Sequence, residues 1–448
     1  MFAARTADVD VRESLLARLA DARAQTDALL DVVRPDSLYE RPIAERHRIV
    51  FYLGHLEAFD WNLLRERLLN LKTFQPEFDR LFAFGIDPVD GALPADQPAD
   101  WPSLAEIHRY ISRVRTSLDD GLATAFSFGA DPKVEPEDFP ASVLLNVAIE
   151  HRLMHAETLA YMIHRLPLER KHPEPVAPAL VARPIVPAML EIPAGSVTLG
   201  LLRGDRSRFG WDNEYEAHHA NVPAFAIDQY KVSNGQYLEF VAAGGYENRA
   251  FWREDDWNWI TENGISHPAF WKRIGNRWYF RAMFDELPLP LEWPVYVSHA
   301  EASAFARWVG KSLPTEAQSQ RAAFGTPQGS ERIYPWGTEA PGRAHGNFDF
   351  QSWDPAPLNA FPENRSGFGV AGMLGNGWEW TASVFGPFSG FEPFAFYPGY
   401  SANFFDGEHN VAKGGSARTA ACLLRRSFRN WFQPHYPYIY AGFRCVSQ

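Results

Sequence analysis

The feature that most constrains this chain is a proline-rich stretch near its middle. Seven prolines fall between Pro167 and Pro193. Proline has no backbone N–H and breaks both helices and central strands, so residues 167–189 are predicted to form an extended connector. The sequence before it shows helical periodicity, whereas the sequence after it has short strand-like segments, many Gly and Pro turns and frequent Trp. We therefore predict two domains, residues 1–166 and 190–448, in an α+β protein.

The first domain is predicted to be a four-helix bundle. Apolar residues recur at helical spacing in segments near residues 15–29, 49–63, 103–118 and 140–165. At the third segment, Ser103-Leu-Ala-Glu106 fits a capping box, which marks a helix start. Bundles of this kind often build metal sites from facing helices. In the second domain, helices are predicted only near 233–243 and 298–309.

Composition excludes several classes of function. The net charge is 43 − 55 = −12, which argues against a nucleic-acid or anionic-membrane partner. No apolar run approaches the 18 residues of a membrane span, and the acidic N-terminus lacks a signal-peptide core. Two cysteines, Cys422 and Cys445, are too few for a disulfide framework. The reducing cytoplasm is the expected location.

Three histidines of the first domain form a candidate metal site. His151 and His155 lie four residues apart on one helix, which places both imidazoles on one face. His55 lies in an apolar stretch of the second helix. A pair of surface histidines and a buried structural His55 are the alternative interpretation. Imidazole suits Zn, Cu, Fe and Ni, so these residues alone leave the metal open. His47, His108 and His164 are interpreted as ordinary surface residues.

Motifs of the second domain resemble those of the formylglycine-generating-enzyme superfamily. They are Ile192-Pro-Ala-Gly, Phe225-Ala-Ile-Asp-Gln-Tyr-Lys-Val-Ser-Asn-Gly-Gln-Tyr237, Gly244-Gly-Tyr246, Leu313-Pro-Thr-Glu316, Tyr334-Pro-Trp-Gly337, Gly372-Met-Leu-Gly-Asn-Gly-Trp-Glu-Trp-Thr381 and Gly414-Gly-Ser416. The resemblance implies a modified C-type-lectin fold over 190–448. Formylglycine-generating enzymes bind copper through two cysteines, but Thr419 and Leu424 stand at the matching positions here, so that activity is not expected.

The first domain resembles the DinB-like bundle, and the two domains in this order are similar to the ergothioneine- and ovothiol-type sulfoxide synthases. Tyr52-Leu-Gly-His55 and His151-x-x-x-His155 match that family's iron ligands. The resemblance implies that His55, His151 and His155 bind Fe(II). It also implies an oxygen-dependent enzyme that joins a chalcogen atom to hercynine, a trimethylated histidine.

Further roles follow from the resemblance by position. Tyr397 matches the tyrosine that donates a proton or hydrogen atom during oxygen activation, and Tyr400 lies beside it. Asn430 matches a residue that contacts the betaine. The quaternary ammonium of hercynine calls for aromatic faces. The candidates are Tyr397, Trp431, Phe432 and Tyr436.

Two departures from the family concern the chalcogen donor. Phe432 stands where enzymes that use γ-glutamylcysteine often carry Asp, and Met154 stands where many carry Gln. Without that carboxylate, the ammonium of an amino-acid donor would lose its partner. We therefore favour the selenoneine synthase branch, which uses a selenosugar, over an ergothioneine sulfoxide synthase that uses γ-glutamylcysteine or cysteine.

Two alternatives from other classes stay open. A DinB-type zinc-dependent thiol transferase or hydrolase would carry zinc and consume no oxygen. A non-catalytic ligand-binding protein, in which the bundle is purely structural, would carry no redox-active metal.

Overall fold

The computed structural model describes residues 2–86, 93–127, 140–174, 180, 185–205 and 208–448. The chain divides into two compact units, residues 1–174 and 175–448. The first is helical, and the second combines short helices with small sheets. The predicted α+β class is therefore confirmed. The described helices include none that is long and apolar enough to cross a membrane.

The described residues of the first unit form four long helices, as predicted, and one short α-helix that the sequence did not reveal. Their bounds are α1 (Phe2–Asp31), α2 (Ile49–Leu64), α3 (Pro76–Phe84), α4 (Leu104–Ser127) and α5 (Ala141–Arg165). Helix α1 packs on α5, and α2 packs on α3, α4 and α5. With nine residues, α3 is too short to show a clear helical period in the sequence, although Pro76 in its first turn suits a helix start.

The capping box predicted at the start of α4 is present. The backbone N–H of Ser103 donates to the Glu106 carboxylate over 3.0 Å, and the N–H of Glu106 donates to the Ser103 hydroxyl oxygen over 3.4 Å. Two otherwise unsatisfied donors at the helix end are thereby paired, so α4 begins at Leu104.

A buried ion-pair network joins α2 to α5. The guanidinium of Arg152, which is 0% exposed, donates to Glu57 over 2.9 Å and to Asp60 over 2.6 Å. Arg115 of α4 also donates to Glu57, over 2.6 Å. Burial alone would raise the pKa of Glu57, but Arg152 and Arg115 lower it to about 2. Because a buried charge is costly without its partner, this network fixes how α2 lies against α5.

The second unit contains four small sheets and four short helices among its described residues. The helices are α6 (Asn234–Ala242), α7 (Glu254–Glu262), α8 (His299–Trp308) and α9 (Glu316–Phe324). The strands are β1 (Met189–Ile192), β2 (Gly195–Leu199), β3 (His218–Val222), β4 (Phe225–Asp228), β5 (Trp271–Ile274), β6 (Arg277–Arg281), β7 (Glu286–Pro288), β8 (Trp378–Val384), β9 (Asn410–Lys413), β10 (Asn430–Phe432), β11 (Ala441–Gly442) and β12 (Val446–Ser447).

Sequence reasoning predicted α6 and α8 and missed α7 and α9. Capping boxes start three of the four, at Ser233, Ser298 and Thr315. The main sheet has the order β10-β9-β8-β11, with β11 parallel to β8 and the other pairs antiparallel. Behind β8, the buried Arg444 makes two bonds to Glu379, of 2.6 and 2.8 Å. This anchored sheet carries β10, the strand of the predicted substrate residues.

Candidate metal and substrate sites

Three histidines converge between α2 and α5. One ring nitrogen from each of His55, His151 and His155 lies within 4.8 Å of the others. The Nε2 atoms of His55 and His155 are 3.2 Å apart, although the residues are 100 positions apart in sequence. The i,i+4 spacing on α5 supplies two of the rings, and the approach of α2 supplies the third.

The surroundings keep all three imidazoles neutral. Burial lowers the pKa of His55 to about 4, and burial together with the neighbouring histidines lowers the pKa of His151 and His155 well below the ordinary value. Neutral imidazole is the form that binds a metal. Phe59, one turn after His55, stacks on the His151 ring with centroids 3.4 Å apart. Its helical spacing from His55 was a signal that sequence reasoning did not use.

A backbone contact orients His55. Its Nδ1 lies 2.7 Å from the carbonyl oxygen of Phe82, on α3. When Nδ1–H donates to that carbonyl, the lone pair of Nε2 is directed toward the other two histidines. Metal-binding histidines are commonly oriented by a hydrogen bond of this kind from the other ring nitrogen. Gly54 permits this approach, because a Cβ at that position would overlap the Phe82 ring. The role of Phe82 could not be predicted from sequence.

The residues present fit a divalent transition metal. Three neutral nitrogen donors converge in a region walled by aromatic rings, among them Tyr52, whose ring centroid lies 5.6 Å from that of His155. Burial raises the pKa of Tyr52 to about 12, with the nearby Arg46 acting in the opposite direction. Three imidazoles leave further coordination positions for small ligands, which is the arrangement of catalytic rather than structural sites.

In the second unit, Tyr397 lies in the loop of residues 394–401, beside Tyr400. The two rings are 5.6 Å apart, and Tyr400 stacks on Trp211 at 4.0 Å. Burial, followed by the charge of Asp212, raises the pKa of Tyr397 to about 12. The phenol therefore keeps its proton at neutral pH.

Strand β10 separates the predicted substrate residues into two groups. Trp431 stacks on Phe385 at 4.2 Å and meets the edge of Tyr400 at 5.5 Å. Phe432 instead stacks on Tyr436, with parallel rings 5.9 Å apart. Because successive side chains of a strand point to opposite faces, Asn430 and Phe432 share one face and Trp431 takes the other. The four aromatic candidates therefore form two clusters rather than one cage.

Other predicted positions have varied surroundings. Met154 is half-buried on α5, next to His155 in the chain. The prediction that His164 lies at the surface is wrong, because the side chain is 2% exposed. The physical reason is that α5 is buried on nearly all sides. Thr419 and Leu424, at the positions of the copper ligands, are both fully buried.

Comparison with known proteins identifies the family. Residues 177–448 match the sulfatase-modifying factor enzyme 1-like domain, and residues 18–159 match the DinB superfamily. The hercynine oxygenase of Mycobacterium tuberculosis is 35% identical over 97% of this chain and 98% of its own length. The chain belongs to the hercynine oxygenase family.

More distant relatives have partial coverage. Ergothioneine biosynthesis protein 1 of Neurospora crassa is 28% identical, over 92% of this chain and 55% of its own length. The present chain therefore spans about half of that protein. Among solved structures, PvdO from Pseudomonas aeruginosa matches 58% of this chain and 93% of its own, with 21% identity and a TM-score of 0.38.

Proposed function

We propose that this protein is an iron(II)- and oxygen-dependent synthase that joins selenium or sulfur to C2 of the hercynine imidazole. The observation that carries the proposal is the convergence of His55, His151 and His155 in a chain that aligns end to end with a hercynine oxygenase. Hercynine and oxygen would be reactants with either a selenium or a sulfur donor, so the two versions of the reaction differ only in the donor.

Iron(II) held by the three histidines would supply open coordination positions and the electron transfer that oxygen requires. The protein's contribution is to hold the ligands neutral and oriented. The Phe82 carbonyl fixes the ring of His55, and the Arg152 network keeps α2 against α5. Both features support a site that is formed before the metal binds.

Tyr397 is proposed as the donor of a proton or hydrogen atom. A general acid must hold its proton at the working pH and release it to a reacting group, and the raised pKa of Tyr397 provides the first condition. Asn430 is proposed to contact the betaine. The aromatic rings beside these two residues, Trp431 and Phe432, would contact the trimethylammonium group and the donor.

We propose a selenosugar as the preferred donor. The Phe432 and Tyr436 rings are parallel and half to fully buried, so this face of β10 offers an apolar surface against which a sugar ring can stack. It offers no carboxylate at position 432 for an α-ammonium group. A cysteine-type donor would forgo a charge-assisted bond of about 1.5–3 kcal/mol, or roughly 10–150-fold in affinity.

The second candidate is an ergothioneine sulfoxide synthase that uses γ-glutamylcysteine or cysteine. Its support is the full-length similarity to proteins named hercynine oxygenase. The two candidates share the iron site and hercynine and differ only in the donor. A zinc-dependent thiol transferase and a non-catalytic binding protein differ from both candidates, because neither would consume oxygen.

A competition assay separates the donors. Iron-loaded protein receives hercynine, oxygen and equal concentrations of selenosugar, γ-glutamylcysteine and cysteine, and mass spectrometry identifies the products. We expect the selenium product to dominate. Phe432→Asp should move the preference toward γ-glutamylcysteine. The matched control Phe432→Leu should keep the preference for the selenosugar. A dominant sulfur product from the unaltered protein would place it with the ergothioneine synthases.

A further inference from the structure

A buried acid lies against the loop that carries Tyr397. Asp212 begins the 3-10 helix Asp212–Glu214 and is 0% exposed. Its Oδ1 accepts a hydrogen bond of 2.6 Å from the Ser401 hydroxyl, and the carboxyl also interacts with the backbone of Phe394. These two partners lie on either side of Tyr397 in the loop that joins β8 to the 3-10 helix Ala402–Phe404. One carboxyl group therefore holds this loop against the same short helix on both sides of Tyr397.

The residue before Asp212 strengthens the attachment. Trp211 stacks on Tyr400 at 4.0 Å and lies 6.3 Å from the Phe394 ring. On its other side, Tyr400 meets the edge of Trp431. Aromatic contacts of this kind stabilise the packing beyond simple burial. Residues 211 and 212 together form a dock for the Tyr397 loop.

The charges around this dock are unevenly compensated. Glu214, on the same 3-10 helix, is paired with Arg425 over 2.8 Å and accepts a bond from Ser427. At the outer side of the loop, Glu392 is exposed and lies 3.9 Å from Arg203. The partners of Asp212 named above are a hydroxyl and backbone groups, which carry no charge. When this carboxyl is ionised, its negative charge acts on its surroundings at low dielectric.

We infer that Asp212 is a positioning residue for Tyr397, because its bond to Ser401 and the stacking of the adjacent Trp211 on Tyr400 fix the part of the loop that carries the phenol. The inference rests on the proposed role of Tyr397. A tyrosinate beside a buried carboxylate is destabilised by like charge, so the charge of Asp212 favours the protonated form of the phenol.

The electrostatics of the two side chains agree with this geometry. Burial is the larger cause of the raised pKa of Tyr397, and the charge of Asp212 adds to it. Burial also raises the pKa of Asp212, while its bond to Ser401 acts in the opposite direction. Replacing the carboxylate by an amide of the same shape removes the charge and leaves an oxygen that can accept the Ser401 bond.

The test measures the Tyr397 phenol directly in the full-length, metal-free protein. Tyrosine labelled with carbon-13 at Cζ is incorporated, and the Tyr397 signal is assigned by its loss in Tyr397→Phe. In the unaltered protein this signal should begin to titrate only at the upper end of the alkaline range in which the fold survives. In Asp212→Asn the phenol pKa should fall by roughly one unit, the order expected for a nearby charge. An identical titration in both proteins would overturn the inference.

Ser401→Ala is the matched control and the second arm. It removes the 2.6 Å bond but keeps the carboxylate, so the phenol pKa should stay high while amide exchange in residues 395–400 becomes faster. If Asp212→Asn does not fold, unchanged exchange in Ser401→Ala overturns the inference. Neither readout requires turnover. A lowered phenol pKa in a protein that makes no product would sustain the inference and count against the proposed function.

Discussion

The Nε2 atoms of His55 and His155 lie 3.2 Å apart, at a point where the carbonyl of Phe82 holds the first ring from behind. Two imidazole nitrogens at this separation share at most one proton between them. Their lowered pKa values mean that the site prefers neutral rings. The helices α2, α3 and α5 thus bring nitrogen lone pairs together in an arrangement that is suited to binding a metal cation.

The first prediction concerns Gly54. A methyl group there would overlap the Phe82 ring, so Gly54→Ala should push α3 away from α2 and lengthen the contact to His55. Loss of such outer contacts lowers metal affinity by about 10–100-fold, which competition with a chelator would measure. Gly121→Ala is the control. The nearest atoms there are the flexible tips of Leu69 and Leu71, and affinity should not change. Equal affinity in all three proteins would refute the role of Phe82.

The second prediction concerns the buried network. Arg152→Met leaves Asp60 buried without its cation and leaves Glu57 with Arg115 alone, which should cost about 3–5 kcal/mol in unfolding free energy of the first unit. Urea denaturation followed by far-ultraviolet circular dichroism measures it. Arg170→Met removes an exposed pair with Asp36, at 41% and 70% exposure, and should cost less than about 1 kcal/mol. Similar losses in the two variants would contradict the assigned importance of Arg152.

The third prediction concerns Tyr397. Tyr397→Phe removes one hydroxyl, so unfolding free energy should fall by no more than about 1–1.5 kcal/mol. Product formation should fall much further, or the reaction should turn to simple oxidation of the donor. Tyr279→Phe, which removes a phenolic hydroxyl from β6, should leave the kinetics unchanged. Steady-state rates and product ratios that match those of the unaltered protein would exclude a chemical role for Tyr397.

The fourth prediction concerns acid stability of the second unit. His299 is buried, with Nε2 3.1 Å from the Thr381 carbonyl, and burial lowers its pKa to about 4. Between pH 6.5 and 4 the unfolded chain takes up a proton that the folded chain does not, so stability falls as the pH falls. The loss should reach roughly 3 kcal/mol at pH 4. His299→Gln should lack this component.

Trp fluorescence can follow that unfolding, because only Trp61 and Trp101 of the fifteen tryptophans lie in the first unit. Parallel pH profiles for the unaltered protein and His299→Gln would show that His299 takes up its proton without cost to the fold.

The sequence predicted the four long helices of the first unit but not how they meet. Four-residue spacing was enough to pair His151 with His155, while the third histidine depended on a motif. The contact of His55 with a backbone carbonyl of α3 leaves no mark in the sequence, because any residue type can provide it. His164 was misjudged because α5 is surrounded by its neighbours.

The predicted substrate residues illustrate a different limit. Trp431 and Phe432 are adjacent in sequence and were both candidates for contact with the quaternary ammonium, but adjacent residues of a strand face opposite ways. A strand of three residues is too short to show a two-residue period. Asp212 was missed for a related reason, since its partner Ser401 is 189 residues away.

The metal content of anaerobically purified, full-length protein tests the central claim most directly. The comparison is between the unaltered chain and a variant with His55→Ala, His151→Ala and His155→Ala, each reconstituted with iron(II) and measured by elemental analysis. We predict one iron per unaltered chain and none in the variant, with oxygen uptake only in the former when hercynine and a donor are present. Stoichiometric iron in the variant, or zinc without oxygen uptake in the unaltered protein, would contradict the account.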